Sequence, residues 1–411
     1  MLFLAKLAAR NLWRNRLRTV LTFSALAVGI AWLVLVDSLI TGLDNQGVAT
    51  IVDFESGDVQ IHAPGYFADR DDLPLGRTLP AHRAASTALG VPGVQAATPR
   101  VRFGARLNVG WEEFPVIGVG IDPARDSGVF RLADHIEGRL PRAGAHEAVI
   151  GAKLADLLEI HAGDAITLVT RTRDEAWQAL DLTVVGLART PHPGVNEGQV
   201  YLPLDVADSA LALGGGATEV ALRLAPGQSA TAVAQEARER LNTAGVEAEA
   251  VTWQESAADF LSLTRTKSSG NAMIVLMIVI IALVGVTNTI LLGTLERRQE
   301  IGTMKAMGLR EGEIVRLFLL EATGIGLLAA LTGSTLGAAA NLYLVRVGVD
   351  FSALFGDITF NIPGLLGRVH GVWHGGVFLW ASAVGIATCW LAASFPARRA
   401  ARLDAAVTVR I

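Results

Sequence analysis

Only one cysteine, Cys389, occurs in 411 residues. That excludes an internal disulfide framework and a CxxC metal site. No G-x-x-x-x-G-K-[ST] is present, so this polypeptide has no phosphate loop with which to hold ATP. Charged residues make up only 18% of the chain, and no basic cluster sits in an aromatic-rich context, which argues against a nucleic-acid partner. What is abundant is apolar: 51% hydrophobic residues and a mean hydropathy of +0.41, above the range of an ordinary cytosolic enzyme. The excess is concentrated in a few long runs, the pattern of a membrane protein with a substantial polar part.

Four uncharged runs carry it: 18 residues between Arg18 and Asp37, 28 between Lys267 and Glu296, 24 from Ala322 to Val345, and 23 from Gly375 to Ala397. Each is long enough to cross a bilayer as a helix, since roughly 20 residues span about 30 Å. The runs predict spans over 19–40, 271–294, 317–345 and 375–396. The first is expected to be an uncleaved anchor, because its apolar core exceeds that of a signal peptide and no A-x-A site follows it directly. Lys and Arg gather in 1–18, 295–316 and 397–411, which together hold 14 basic and 5 acidic residues, whereas 41–270 holds 19 basic and 30 acidic. With four spans, all three basic segments fall on one side, predicting cytoplasmic termini and an extracytoplasmic 41–270 and 346–374.

Residues 41–270 are too polar for lipid and of ordinary domain size. Strand patterns recur in GDVQIHA, in RVRFGARLNVG followed by FPVIGVGID, in DAITLVTRT followed by LTVVGLART, and in EVALRLAPG. AVIGAKLADLLEI and SATAVAQEARERLNTAG read as helices between them. The expectation is an α+β domain built on antiparallel hairpins. The stretch WQESAADFLSLTRTKSSGNAM lacks proline and runs into the second span as a helical stalk. His62, His82, His135, His146, His161 and His192 are scattered without zinc-helix spacing and read as surface or loop residues. No G-x-S-x-G elbow occurs, and Gly214-Gly215-Gly216 lacks the Lys and Ser/Thr of a phosphate loop. No catalytic, metal or cofactor residue is therefore assigned.

The segment GVTNTILLGTLERRQEIGTMKAMGLREGEIVRLFLLEATGIGLLAALTG, from Gly285 to Gly333, resembles the signature of the FtsX/MacB/LolC-LolE permeases, the mechanotransmission class of ABC transporter membrane subunits. The matching positions are Asn288, Glu296, Arg297, Glu300, Ile301, Gly302, Met304, Lys305, Ala306, Met307, Gly308 and Glu321. The tail SFPARRAARLDAAVTVRI is similar to that family's ending, with Ala405 or Ala406 where a proline is usual and Val409 in place of leucine. VPGVQAATPRV, GVGIDPAR, EAVIGAKLADLLEIHAGDAITLV and LTVVGLART look like the periplasmic core of the MacB and LolC/LolE branches. The resemblance implies four transmembrane helices with a large extracytoplasmic α+β domain between the first and second, in a bacterial inner membrane. It further implies a non-catalytic subunit, dimeric with itself or a paralogue, whose cytoplasmic ATPase partner binds ATP and Mg. The LolC/LolE-like architecture points to lipoprotein release or extrusion of a hydrophobic substrate, with peptide or drug efflux as the alternative and a signalling scaffold as a third reading.

Read by themselves, the residues after the second span give a short amphipathic helix, with Ile301, Met304, Met307 and Gly308 on an apolar stripe and Glu300 and Lys305 beside it. Such a stripe needs a partner groove or the lipid surface. The resemblance favours a coupling helix docked on the ATPase. Glu321 lies near the cytoplasmic end of the third span, where a structural pairing with a base is favoured over a proton or substrate role. Asp37 is expected at the interface. Gly333 and Gly337 form a GxxxG that serves either a dimer contact or packing within the chain. Phe351, Phe355, Phe360 and Trp373 suit an aromatic belt on the outer leaflet.

Overall fold

The computed structural model describes residues 2–14, 16–110, 112–350 and 368–402. Phe351, Phe355, Phe360 and the end of the tail lie outside the described residues. Two compact units are distinguished. One is helical and holds the described residues through Leu43, from Thr264 to Val349 and from Arg368 onward; the other is mixed α/β and holds those from Asp44 to Leu263.

The four apolar runs form the helices Arg16–Ile51, Ala258–Glu296, Glu311–Arg346 and Gly375–Ala401, here named spans one to four; the first continues past Leu43 and the second begins before Thr264. Each is long and apolar enough to cross a membrane. Span one has 36 residues, about 54 Å at 1.5 Å per residue, so it outruns the hydrocarbon layer. It ends in one wide π turn, Val52–Ser56, closed at Gly57. The polar sequence after Leu43 hid this extension from a hydropathy reading. The stalk is also helical, except that Trp253–Ser256 forms a separate turn before span two begins at Ala258.

Span four passes through Pro396, which reads in sequence as its end. A proline inside a helix frees the carbonyl four residues earlier. Here that carbonyl, of Ala392, accepts a bond from the Thr287 hydroxyl of span two at 3.5 Å, so the helix continues to Ala401. At the other end of the unit Ser38 donates to Asn341 and accepts from the Val372 amide at 3.0 Å, tying spans one and three to the segment before span four. Trp373 is exposed and stacks on Phe378.

The α/β unit contains, in chain order, β1 (Val59–His62), β2 (Leu79–Pro80), β3 (Val94–Val109), β4 (Glu112–Ile121), β5 (Ile136–Gly138) and β6 (Glu147–Gly151). There follow β7 (Ala165–Arg171), β8 (Trp177–Ala188), β9 (Gln199–Pro203), β10 (Gly216–Ala217), β11 (Glu219–Leu224) and β12 (Glu249–Thr252). β2 and β10 pair with each other; the other ten form one sheet in the order β12-β1-β11-β3-β4-β9-β6-β8-β5, with β7 pairing β3 and β8. The expected hairpins β3–β4 and β7–β8 are present and antiparallel. Yet β4–β9 and β6–β8 are parallel, so the sheet is mixed. AVIGAKLADLLEI is not one helix: its first residues form buried strand β6, and only Ala152–Leu158 is helical. A short apolar run followed by a helical pattern looks the same in either form.

β3 is the spine of this unit. Its 16 residues pair with β11 at one end and with β4 and β7 at the other. Val101, Phe103, Ala105 and Leu107 alternate onto one face and enter a core with Ile150, Leu168, Leu182 and Leu202. A second core joins Ile61, Val220 and Leu222 to the helices Ala81–Leu89 and Ala230–Thr243. Gly118 is required beside Phe103, because a Cβ there would lie 2.2 Å from the ring.

The other face of β3 carries Arg100, Arg102 and Arg106. Arg100 is buried and donates twice to Asp126, at 2.7 and 2.9 Å, with its guanidinium 3.3 Å from the centroid of the Phe130 ring. Asp126 stands on the helix Pro123–Val129, which starts after Asp122 accepts from the Ala124 amide. Removing one partner of a buried pair leaves the other charge uncompensated, a cost of about 3–5 kcal/mol. Asp126→Ala is therefore expected to lower the denaturant stability of this unit by that amount, followed by tryptophan fluorescence of the full chain. Glu113→Ala, which breaks the exposed pair with Arg106, should change it by about 0–1 kcal/mol.

Candidate coupling site

Between spans two and three the chain breaks at Arg297 and forms the short helix Arg298–Ala306. Its C-terminus is a Schellman turn: Leu309 N–H donates to Met304 O and Gly308 N–H to Lys305 O. Gly308 sits at φ +95°, a left-handed geometry that favours glycine, and a Cβ there would meet nothing, so its requirement is conformational. Arg310 then opens span three, its amide donating to Glu313 at 2.9 Å.

The apolar stripe expected on this helix is divided. Ile301 is 1% exposed and packs with Ile314 and Phe318 of span three and Ala397, Ala400 and Ala401 of span four. Met304 is half-buried against the same cluster with Leu309, the apolar contact that accompanies a Schellman turn. These two anchor the loop to its own spans and are not free to fill another protein's groove. The reason is tertiary: both neighbouring spans end beside the helix and cover that face. Met307 alone stays outside, 74% exposed, flanked by exposed Thr303, Ala306 and Gly308. Lys305 is largely covered and pairs with Glu311 at 3.6 Å.

Beneath the loop lies a buried network of charges. Glu321, ten residues and nearly three turns into span three, accepts from Asn11 at 2.6 Å and from Arg297 at 3.3 Å. Arg297 also binds Glu300 at 3.0 Å, and Arg14 donates to Glu300 from the helix Leu2–Arg14. Burial pushes the Glu300 carboxyl up, but hydrogen bonds from Arg297 and Arg14 outweigh it and hold it below the ordinary range. The Arg297 and Glu321 side chains are only 10% and 11% exposed. Four segments thus meet here: the N-terminal helix, the end of span two, the loop helix and span three. The sequence announces Arg297, Glu300 and Glu321 but not Asn11 and Arg14, which in sequence are two members of a basic N-terminal segment.

Gly333 and Gly337 face span one. A Cβ on Gly333 would lie 2.7 Å from Ala27 O and one on Gly337 3.1 Å from Val34 Cβ, so this GxxxG packs within the chain. Asn288 is exposed on span two, of whose most apolar stretch only 11% is buried, against 39–44% for the other spans. Asp37 lies 3.6 Å from His374. Two histidines do not fit the surface reading: His62 is buried in β1, and His192 is buried at the start of the helix Pro193–Gly198, its ring accepting from the Val195 amide at 3.3 Å. Among the described residues no group of His, Cys, Asp or Glu could hold a metal ion.

Two family models match successive parts of the chain. The MacB-like periplasmic core domain matches residues 19–240, and the FtsX-like permease C-terminal matches 272–405. The chain belongs to the MacB/FtsX-like permease family. Among curated relatives, the macrolide export ATP-binding/permease protein MacB of Sodalis glossinidius is 27% identical over 97% of this chain and 59% of its own length. That of Bradyrhizobium diazoefficiens is also 27% identical, over 98% and 59%, and that of Agrobacterium fabrum 24%, over 89% and 57%. The chain thus spans less than three-fifths of the length of these relatives. Solved structures that match include the periplasmic region of MacB from Actinobacillus actinomycetemcomitans, 12% identical over 51% of this chain and 95% of that one with a TM-score of 0.38. The extracellular domain of the ABC-type transporter YknZ from Gram-positive bacteria matches at 14% identity over 47% and 99%, with a TM-score of 0.34.

In this MacB/FtsX-like permease the Glu321 carboxylate is paired with Arg297 and accepts from Asn11, a clamp made by donors of the same chain. Glu321→Leu would leave buried Arg297 with Glu300 alone of its two carboxylate partners and should cost about 1.5–3 kcal/mol, the worth of a charge-assisted hydrogen bond. The double variant Glu321→Leu with Arg297→Met replaces the pair by apolar groups of similar volume and should recover most of it. The thermal unfolding midpoint of the purified full chain in detergent checks this. Equal damage in the single and double variants would contradict the clamp.

Proposed function

We propose that this chain is the permease part of an ABC transporter of the mechanotransmission kind. In this reading ATP and Mg are bound and hydrolysed by a cytoplasmic ATPase, whose closure moves the loop between spans two and three. Spans and stalk relay that movement to the α/β unit, which works on substrate at the outer face of a bacterial inner membrane. The single observation that carries the reading is the loop helix: it is held to the spans by Ile301, Met304 and the Glu321 clamp, yet presents Met307 outward. A fixed helix with one projecting apolar side chain suits docking into a partner's groove.

The orientation proposed has both termini and this loop in the cytoplasm, because Lys and Arg concentrate there. A second permease subunit is proposed against span two, supported by its sparse burial and by exposed Asn288, whose amide would be costly to leave facing lipid. The cargo is taken to be hydrophobic or amphiphilic. The three MacB relatives are named as macrolide exporters, which favours efflux of a small amphiphile over lipoprotein release, the cargo that the LolC/LolE resemblance puts first.

Met307→Asp tests the docking. A carboxylate at the centre of an apolar contact costs several kcal/mol when left unpaired, so the ATPase that co-purifies from native membranes should fall at least tenfold. The variant should keep its thermal midpoint, because the side chain touches little of its own chain. Met304→Asp should instead lower that midpoint, since it strikes the packed face. Undiminished ATPase recovery with Met307→Asp would refute docking through this residue.

A further inference from the structure

Within the α/β unit, next to the π turn that closes span one, lies a cavity of about 310 Å³. It opens toward a groove of about 870 Å³ along the outer half of β3, since Glu55, Asp71, Arg102 and others line both. Its wall holds four buried polar atoms that make no hydrogen bond: His62 Nε2, Tyr66 Oη, Glu219 Oε1 and Arg102 Nε. His62 and Glu219 are each 2% exposed. An unmade bond on a buried polar group costs about 1–3 kcal/mol, so four around one cavity mark a place built to be occupied.

The open valences identify the occupant's chemistry. His62 Nδ1 lies 3.0 Å from Thr218 O, an atom that only accepts, so Nδ1 carries the hydrogen. Burial lowers the ring's proton affinity further than Glu219, the Thr218 carbonyl and Glu249 raise it, which keeps the imidazole neutral and leaves Nε2 a bare acceptor. Glu219 Oε2 is taken by the Gln60 amide at 3.2 Å, and Gln60 in turn accepts from Ser256 at 2.8 Å, so Oε1 is the free carboxylate oxygen. Two acceptors, one of them anionic, thus face the space. Tyr66 also lines it: its ring stacks on His62 at 4.9 Å, and its unpartnered hydroxyl can donate to or accept from an occupant. Arg102 is held toward Glu55 at 3.7 Å, with its Nε–H as the open donor.

We infer that this cavity binds a small molecule bearing a primary ammonium group, whose N–H bonds are taken by His62 Nε2 and Glu219 Oε1. The amine is either a free alkylamine or the amino end of a zwitterion, whose carboxylate would then meet Arg102 Nε–H. The site stands on the fold of this unit alone and does not depend on the transport reading.

Isothermal titration of the full chain in nanodiscs tests it with methylammonium, glycine and tetramethylammonium. Methylammonium or glycine should bind saturably, and tetramethylammonium, which has the charge but no N–H, should not; tighter binding of glycine than of methylammonium identifies the zwitterion. Glu219→Gln should weaken binding at least tenfold. His62→Phe, which removes the acceptor and fills space, should abolish it and stands in if Glu219→Gln does not fold. Absence of saturable heat from both amines means that water alone fills the cavity and overturns the inference. Equal binding of tetramethylammonium, or wild-type affinity in the variants, overturns it as well.

Discussion

A carboxylate cannot stay alone at the edge of a bilayer, and in this chain the neutralisation of one, Glu321, organises everything near the loop. Its partners come from the N-terminal helix and from the break that ends span two. Arg297 stands at the interruption after span two and reaches Glu321 from there, and the helix that follows packs Ile301 against spans three and four. The loop is consequently not a flexible connector. It is fixed by one buried ion pair, one Schellman turn and an apolar cluster, and all three must give way together for it to move independently of span three.

That rigidity gives the functional proposal its physical content. A push on a loose loop would be absorbed within it, whereas a push on Met307 reaches a helix whose opposite face is packed on spans three and four. Spans one and two run as continuous helices past the expected membrane ends, Arg16–Ile51 and Ala258–Glu296. The α/β unit has its own stiff feature, the 16-residue strand β3, with apolar cores on either side of its length and arginines along its other face.

The spans were legible in sequence because lipid demands long uncharged runs, and charge placement supplied an orientation to propose. The hairpins were legible because alternation has a period of two. What sequence missed followed from tertiary contacts. Nothing local tells that Thr287 will satisfy the carbonyl freed by Pro396, that Asn11 will reach Glu321, or that Gly333 will meet Ala27 rather than a second chain. The stripe of Ile301, Met304 and Met307 had the right period, but which of its members faced inward depended on spans three and four. Arg100, Arg102 and Arg106 share one face of β3, but burial of the first two beside the helix Pro123–Val129 and the turn Val52–Ser56 could not be read from the strand pattern.

The central claim is that the loop helix and the first half of span three, from Glu311 onward, move as one body. Spin labels at Ala306 and Leu327, both exposed, with Cys389 replaced by serine, allow pulsed electron resonance to measure the distance between them in the assembled transporter, without nucleotide and with ATP trapped. The account predicts one narrow distance that is the same in both states, and a broadened one once Glu321 is replaced by leucine. A change of several ångströms between the nucleotide states with Glu321 intact would contradict it.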